Sequence, residues 1–515
     1  MPLSRFAGLR LLRHSAGLGL VVFAGCTVGP DYQSPEIRTP SVFHAPGEKP
    51  AAAASAATNA PASAAALAKW WTLMNDATLS ELVDRAIAGN HDLRIARART
   101  REARALRGAT RSGRYPTVDL GAGADRRRES EKLDGGSFSS AEGDTTLFES
   151  GLDASWEIDV FGGVQRGIEA ADADLGASIE SERDVLVSLT AETALTYTEL
   201  RGLQRRLFVV NESIRAQRES VGLIDSRFRA GLSSELQVSQ SRSQLAIRES
   251  LIPGLQYSIR ASIHRLGVLL GQHPAELISM LDIPGPIPTG PGEIPLGLPS
   301  DLLLRRPDLR RAERQLAAAT ARIGVETADL YPKFSLTGRF GFAAGEFSEQ
   351  FDMNARNWSF GPAVRWRLFD RSEIRNQIAA AGARQEQALL FYEQTVLIAL
   401  EEVENTVVRF HQEQARRQAL VGAVVASQRA VDLATDRFTA EIDDYLNVLD
   451  GQKTLYEAQD QLARSELDSA TAIVAVYKAL GGGWTDERVI ESQTTTPAVD
   501  DPSAPIPPNG ESAGG

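Results

Sequence analysis

Residues 304–332 read LRRPDLRRAERQLAAATARIGVETADLYP, and residues 88–116 read AGNHDLRIARARTREARALRGATRSGRYP. Asp-Leu-Arg, an internal glycine and a closing Tyr-Pro occur in both stretches at an offset of 216 residues (308 − 92). Further pairs follow at an offset of 210 (366 − 156): Trp156 and Trp366, Arg227 and Arg437, Phe228 and Phe438, and Leu270-Gly271 and Leu480-Gly481. Similarity at a nearly constant spacing is the signature of an internal duplication. The sequence therefore predicts two copies of one structural unit.

The duplication sets the predicted division of the chain. We expect a lipoprotein signal peptide at 1–25, an N-terminal anchor and extended segment at 26–70, a first repeat at 71–271, a Pro/Gly-rich linker at 272–300, a second repeat at 301–484 and a disordered tail at 485–515. No proline lies between Pro116 and Pro253 or between Pro362 and Pro497. Because proline breaks a helix interior, each repeat has room for helices of exceptional length.

Each repeat is predicted to contain a helix, two strands and two very long helices. A helix from about 372 to 438 would be on the order of 100 Å long, at about 1.5 Å per residue. Its apolar residues recur at steps of three and four, which is the seam of a coiled coil. These residues are Leu389, Tyr392, Val396, Leu400, Val403, Val407 and Phe410. The long helices are therefore expected to pack on each other as rods.

Four segments alternate between apolar and polar residues, as strands with two different faces do. The alternation is clear at 152–158, 334–342 and 358–368 and weaker at 118–122. One such strand fits any half-buried sheet, but four with Trp and Phe on one face and charges on the other favour a lipid-facing barrel wall. Since four strands cannot close a transmembrane barrel, this interpretation requires oligomerisation.

The N-terminus has the pattern of an export signal. Three arginines and no acid precede an apolar run at 16–24 that is too short to span a membrane. Phe23-Ala24-Gly25-Cys26 resembles the lipobox of bacterial lipoproteins, and Cys26 is the only cysteine of the chain. We therefore predict lipidation of Cys26. The alternative is an ordinary signal peptide with a cysteine beside its cleavage site.

Composition argues against several other functions. The chain has 515 residues and a net charge of −12, which offers nothing to a phosphate backbone, so nucleic acid is not expected as a partner. Its six histidines are scattered without metal-ligand spacing, and no nucleophile motif or phosphate-binding loop is present. We therefore predict no catalytic residues, no metal, no cofactor and no enzyme activity.

Four further motifs stand out: Gly25-Cys26-Thr27-Val28-Gly29-Pro30-Asp31-Tyr32, Trp70-Trp71, Leu303-Leu304-Arg305-Arg306-Pro307-Asp308-Leu309-Arg310 and Ala328-Asp329-Leu330-Tyr331-Pro332. Together they resemble the TolC-like outer-membrane factors, in particular the NodT-type lipoproteins. The resemblance implies an α+β membrane protein in which three subunits of four strands each form a 12-stranded β-barrel, continued into the periplasm by an α-helical barrel. It also implies a homotrimer in outer-membrane lipid, with a periplasmic adaptor and an inner-membrane transporter of the RND type as partners. Its function would be to pass small molecules to the exterior.

The same resemblance places the transport-relevant residues at the two turns between long helices. The implied adaptor-contacting residues are Gly231, Leu232, Ser233, Ser234 and Glu441, the last in place of a glycine that many family members carry. The implied periplasmic gate comprises Asp443, Asp444, Asn447 and Asp450. Asp450 matches a ring aspartate of the family, and three copies would favour cations at a constriction. Asn447 stands where TolC itself has another aspartate. The simpler alternative is that these acids are solvated hairpin residues, one of them capping the next helix.

Two alternative functions share much of this pattern. One is the outer-membrane duct of a type I protein secretion system, which has the same architecture and differs in its inner-membrane partner. The other is a lipid-anchored periplasmic coiled-coil scaffold whose strands form a small soluble sheet. Conduction through a lipid bilayer separates the scaffold from either duct.

Overall fold

The computed structural model describes residues 27–37, 40, 67–128, 144–294 and 305–485. They belong to two compact units. Among the described residues, the sheet unit contains those within Leu106–Asp172 and Ala317–Glu386, together with 27–33. The helical unit contains the described residues within Ser34–Ala105, Ala173–Leu316 and 387–485. The predicted signal peptide, Cys26 and the tail beyond residue 485 lie outside the described residues.

The element order repeats, as the sequence predicts. The first repeat contains α1 (Ala77–Gly89), α2 (His91–Ser112), β1 (Thr117–Arg127), β2 (Thr145–Ile158), α3 (Gly163–Arg229), α4 (Glu235–Glu249) and α5 (Leu251–Leu269). After the short helix α6 (Ile278–Leu281), the second repeat contains α7 (Pro307–Ala328), β3 (Lys333–Ala344), β4 (Arg356–Arg365), α8 (Arg371–Thr439) and α9 (Tyr445–Ala479). Single 3-10 turns lie at Trp70–Met74, Phe347–Glu349 and Met353–Ala355. The predicted α+β class and the position of the longest helix are confirmed.

The prediction of two very long helices per repeat is wrong for the first repeat. The helix that follows the turn after α3 is interrupted at Ser250, between α4 and α5. Pro253 lies in the first turn of α5, where it has no N–H to donate to the preceding turn of helix. The second repeat has no proline at this place, and α9 is continuous.

The four strands form one antiparallel sheet in the order β1-β2-β3-β4. Leu120 pairs with Leu152, Leu152 with Phe340, and Phe340 with Trp358, so a row of large apolar side chains crosses the whole sheet. All four side chains are exposed, Leu120 to 79% and Trp358 to 71%. An apolar sheet face left open in this way indicates a surface that something other than water covers.

The opposite face of the sheet is polar. The neighbouring row joins Asp119, Asp153, Arg339 and Ser359, and the Arg339 guanidinium lies 3.5 Å from Glu149 and 3.8 Å from Asp153. The predicted alternation is thus confirmed, although β4 ends at Arg365 and does not continue to position 368 as expected. The Trp366 indole N–H lies beyond the strand end and donates to the Leu330 carbonyl at 3.1 Å.

Equivalent hydrogen bonds recur in the two repeats. In the sheet unit, the Trp156 indole donates to the Arg114 carbonyl at 2.9 Å, as Trp366 does to Leu330. In the helical unit, the Asn90 amide donates to the Leu269 carbonyl at 2.9 Å, and the Arg306 guanidinium donates to the Ala479 carbonyl at the same distance. Each pair is related by the sequence offsets of 216 and 210, so the duplication extends to individual contacts.

The helical unit has one large apolar core. Five of the seven predicted seam residues of α8, including Val403 and Phe410, are buried in it, and Leu400 packs against its edge. Glu402 of the same helix pairs with the buried guanidinium of Arg306 at 2.7 Å. Within the described ranges, no helix carries an apolar stretch of the length that a bilayer crossing needs.

Candidate functional site

The two turns predicted to matter for transport share one backbone conformation. The first joins α3 to α4, and the second joins α8 to α9. Gly231 has φ 75° and Glu441 has φ 60°, both in the left-handed region. The next amide in each case bonds back across the helix end, Leu232 to the Arg227 carbonyl at 2.8 Å and Ile442 to the Arg437 carbonyl at 2.9 Å. These are two copies of a Schellman helix stop, one made by glycine and one by glutamate.

Both following helices start with a side-chain cap. Ser234 accepts from the Gln237 amide while the Gln237 side chain accepts from Ser234, which completes a capping box. Asp444 accepts from the Leu446 amide at 2.9 Å. The expectation that Asp443 or Asp444 caps α9 is therefore met by Asp444. Because the Asp444 carboxylate caps α9, it is less available to act as a gate residue.

A small apolar cluster lies immediately behind the turns. Its buried members come from all four helices of the two hairpins: Ile224, Val238, Phe438, Tyr445, Val448 and Leu449. The rings of Phe438 and Tyr445 lie 5.3 Å apart. This cluster is separate from the large core, so the turns have their own packing.

The second turn contains two ion pairs. The Arg227 guanidinium reaches from the first hairpin to Glu441 at 3.2 Å and lies 4.9 Å from the centre of the Phe438 ring. Arg437 pairs with Asp443 at 2.6 Å, and its hydrogen bond and positive charge hold the pKa of that carboxyl below its ordinary value. Asp443 is thus the partner of an arginine in its own turn. No local sequence pattern predicts this contact of Arg227 with the other turn.

Asp450 and Asn447 differ from the other predicted gate residues. Both lie on the exposed side of α9, one turn apart. Their side chains form no hydrogen bond or ion pair with any described residue, whereas Val448 and Leu449 beside them are buried. Of the four predicted gate residues, these two are the ones that the fold of a single chain leaves available.

Sequence reasoning missed a layer of buried polar contacts that joins the two helices of the first hairpin to each other and to the second hairpin. The Ser241 and Tyr445 hydroxyls are 2.9 Å apart, and the Gln217 amide donates to Ser241 at 3.2 Å. Arg248 donates to the Ser213 hydroxyl at 2.5 Å and to the Gln452 carbonyl at 3.2 Å, while burial lowers its pKa. A signal was present, because Ser213, Gln217, Ser241 and Arg248 continue the three-four spacing of the apolar seams.

Nothing in this arrangement indicates catalysis or metal binding. Across the described segments, no three His, Cys, Asp or Glu side chains come together in a group that could hold a metal ion. The charged groups at the turns are instead paired with one another or exposed along a helix.

Comparison with known proteins gives the family. A family model described as "Outer membrane efflux protein" matches residues 82–272 and 298–482, which are most of the two repeats. The chain belongs to the outer membrane efflux protein family. It is an outer-membrane efflux channel protein and not an enzyme.

Individual relatives of the same family agree. The chain is 34% identical over 422 residues to the pyoverdine export outer membrane protein OpmQ of Pseudomonas putida, covering 81% of this chain and 88% of that one. It is 28% identical to Nodulation protein T of Rhizobium leguminosarum bv. trifolii, covering 92% and 98% of the two chains. The solved outer-membrane channel OprN is 37% identical and superimposes with a TM-score of 0.80 over 89% of this chain and all of OprN. The TolC-like, NodT-type resemblance is confirmed.

Proposed function

We propose that three copies of this efflux protein assemble into a continuous duct, with a 12-stranded β-barrel in the outer membrane and a barrel of long α-helices in the periplasm. The observation that carries this proposal is the sheet, whose apolar row is exposed while its other face is polar. A barrel wall between lipid and a wet interior needs that distribution.

The sheet edges support closure through neighbouring subunits. β1 and β4 pair on one side only within the described sheet, so each leaves a row of backbone groups open. Backbone groups in a membrane must be satisfied, and a closed barrel does so without edges. Pairing β1 of one subunit with β4 of the next uses both edges, and three subunits of four strands reach a size known for transmembrane barrels.

Anchoring and partners complete the proposal. We assign lipidation to Cys26, an equatorial position to the linker 272–300, and contact with a periplasmic adaptor to the residues at the turns. Leu232 and Ile442 support that contact, because both are apolar and more than half exposed at the two turns. The energy source is proposed to be an inner-membrane transporter of the RND type. Small molecules are the proposed cargo, since the relative OpmQ is named for the export of pyoverdine.

The gate is assigned to Asp450 with Asn447. In a trimer three Asp450 carboxylates around the axis would hold cations and oppose the free passage of other solutes. The exposure of Asp450 in the single chain supports this, as does the commitment of Asp443 and Asp444 to the turn itself. One aspartate ring with an asparagine beside it is weaker than two aspartate rings.

Reconstitution tests the duct. We expect a detergent-solubilised trimer, rich in strands and helices, that conducts ions in a planar bilayer. A soluble protein without conductance would establish the scaffold alternative. A deletion strain then separates the two ducts, because greater susceptibility to small toxic molecules indicates efflux, whereas loss of a secreted protein indicates type I secretion.

A matched pair of variants tests the gate. Asp450→Ala removes the carboxylate ring, so we expect a larger single-channel conductance and a weaker preference for cations. Gln240 occupies the equivalent position of the first repeat (450 − 210), and Gln240→Ala should change neither quantity. If Asp450→Ala left the conductance unchanged, or if both variants changed the conductance equally, Asp450 would not act as a gate.

A further inference from the structure

The N-terminal segment Thr27–Asp31 is held by one buried arginine, Arg166, whose side chain is 5% exposed. Its guanidinium donates to the Val28 carbonyl at 3.1 Å, to the Gly29 carbonyl at 3.3 Å and to the Asp31 carboxylate at 2.6 Å. Glu169, one turn along α3, accepts a further bond at 2.8 Å. We call Arg166 and Thr27–Asp31 the N-terminal clasp.

Close backbone contacts reinforce the clasp. Gly29 has φ 89°, and a side chain there would meet the Gly324 backbone at 2.4 Å. Gly162 has φ 77°, and a side chain there would meet Thr27 at 2.5 Å. The segment therefore lies against α7 and against the start of α3 at backbone distance. These backbone contacts restrict the position of Thr27–Asp31 more than a single surface ion pair would.

The N-terminal clasp lies at the end of the sheet where the strands connect to helices. The Val28 amide donates to the Phe161 carbonyl at 3.1 Å, between the end of β2 and the start of α3. Phe161 stacks on Tyr331 at 4.5 Å, immediately before β3 begins. All four strand ends that connect to helices lie at this end of the antiparallel sheet. Aromatic rings at one end of a membrane sheet mark the level of the lipid headgroups.

We propose that Arg166 is a positioning residue for the lipid anchor. By holding Thr27–Asp31 it attaches the residue that precedes Thr27 to the rim of the sheet, so that acyl chains and strands enter the same leaflet together. The clasp thereby makes lipidation promote barrel formation and not only membrane attachment. This inference rests on the proposed lipidation of Cys26.

A double-mutant cycle tests the coupling in the full-length protein. The variants are Arg166→Ala, Cys26→Ser and the two combined, scored by the fraction of heat-resistant trimer in outer-membrane extracts. In the lipidated background we expect Arg166→Ala to lower the ratio of trimer to monomer about tenfold, because charge-assisted hydrogen bonds are lost. In the Cys26→Ser background the same change should have little further effect. Mass spectrometry of Arg166→Ala should still show the lipidated N-terminus.

Two further variants distinguish the positioning role of Arg166 from a general folding defect. Asp31→Asn removes only the charge of an exposed carboxylate, and it should lower the ratio less, again only when Cys26 is lipidated. Arg107→Ala breaks an ion pair with Asp172 between α2 and α3 and should leave the trimer unchanged. If Arg166→Ala lowered the ratio of trimer to monomer equally with and without the lipid, or did not lower it at all, the positioning role would be wrong. An unlipidated wild-type Cys26 would instead show that the proposed anchor itself is wrong.

Discussion

The two turns at the ends of the long hairpins have the same backbone but different side-chain surroundings. In the first, a glycine takes the left-handed position and Phe228 is 41% exposed. In the second, Glu441 takes that position and the equivalent Phe438 is 6% exposed, inside the small apolar cluster. The two copies therefore share the course of the backbone but differ in the packing and the charges around the turn.

The equivalent arginines of the two turns also serve different contacts. Arg437 pairs with Asp443 in its own turn, whereas Arg227 reaches across to Glu441 and the Phe438 ring. The first turn thus contributes a cation to the second and receives no equivalent charge from it. The second turn depends on its neighbour more than the first does.

The largest effect is expected when the two equivalent phenylalanine side chains are truncated. Phe438→Ala should destabilise the turn region by about 3 kcal/mol, because it empties a buried site, whereas Phe228→Ala should cost well under about 1 kcal/mol. Amide hydrogen exchange in the trimer measures the loss of protection, around residues 435–450 for Phe438→Ala and around residues 225–240 for Phe228→Ala. Comparable losses from the two variants would show that the turns are packed alike in the assembly.

A second test exchanges the residues at the left-handed position. Glu441→Gly should stabilise its turn by about 1 kcal/mol, since a side chain in this conformation is strained, and Gly231→Ala should destabilise the first turn by about as much. Glu441→Gln keeps the strain and removes the charge that faces Arg227. If Gln stabilised the turn as much as Gly does, charge rather than backbone strain would be the cause.

The smallest expected effect concerns pH. The Asp443 carboxyl has a folded pKa below its ordinary value of 3.8, because Arg437 binds the charged form. A depressed carboxyl pKa contributes stability above the ordinary value and loses it only as pH falls toward the folded pKa. Hydrogen exchange of the second turn, corrected for intrinsic rates, should therefore be constant from about pH 8 to 5 and rise only below about pH 4. Asp443→Asn should abolish that rise, and a transition near neutral pH would contradict the assignment.

Much of the fold could be predicted because its signals are local and repeated. The proline-free stretches and the three-four spacing placed α8 to within a residue at each end, and alternation revealed both faces of the sheet. The interruption at Ser250 could have been anticipated from Pro253. These features follow from backbone chemistry, which acts within a few residues.

The candidate site was less predictable because it depends on contacts between hairpins. Nothing near Arg227 in the sequence indicates Glu441 as its partner, and only the fold shows that Asp443 and Asp444 are engaged while Asp450 is exposed. Gln217 and Arg248 are buried and follow the three-four spacing that a coiled-coil seam has. Their partners could be found only when the helices were packed together.

The central strand pairing has a consequence for biogenesis. Ile158 pairs with Phe334, so β2 must wait for the whole first hairpin and the linker to be synthesised before its neighbour β3 exists. Local helices form quickly, whereas pairing across so much chain is slow. Until β3 has been made, β2 is an apolar strand with one unpaired edge, and such a strand favours aggregation.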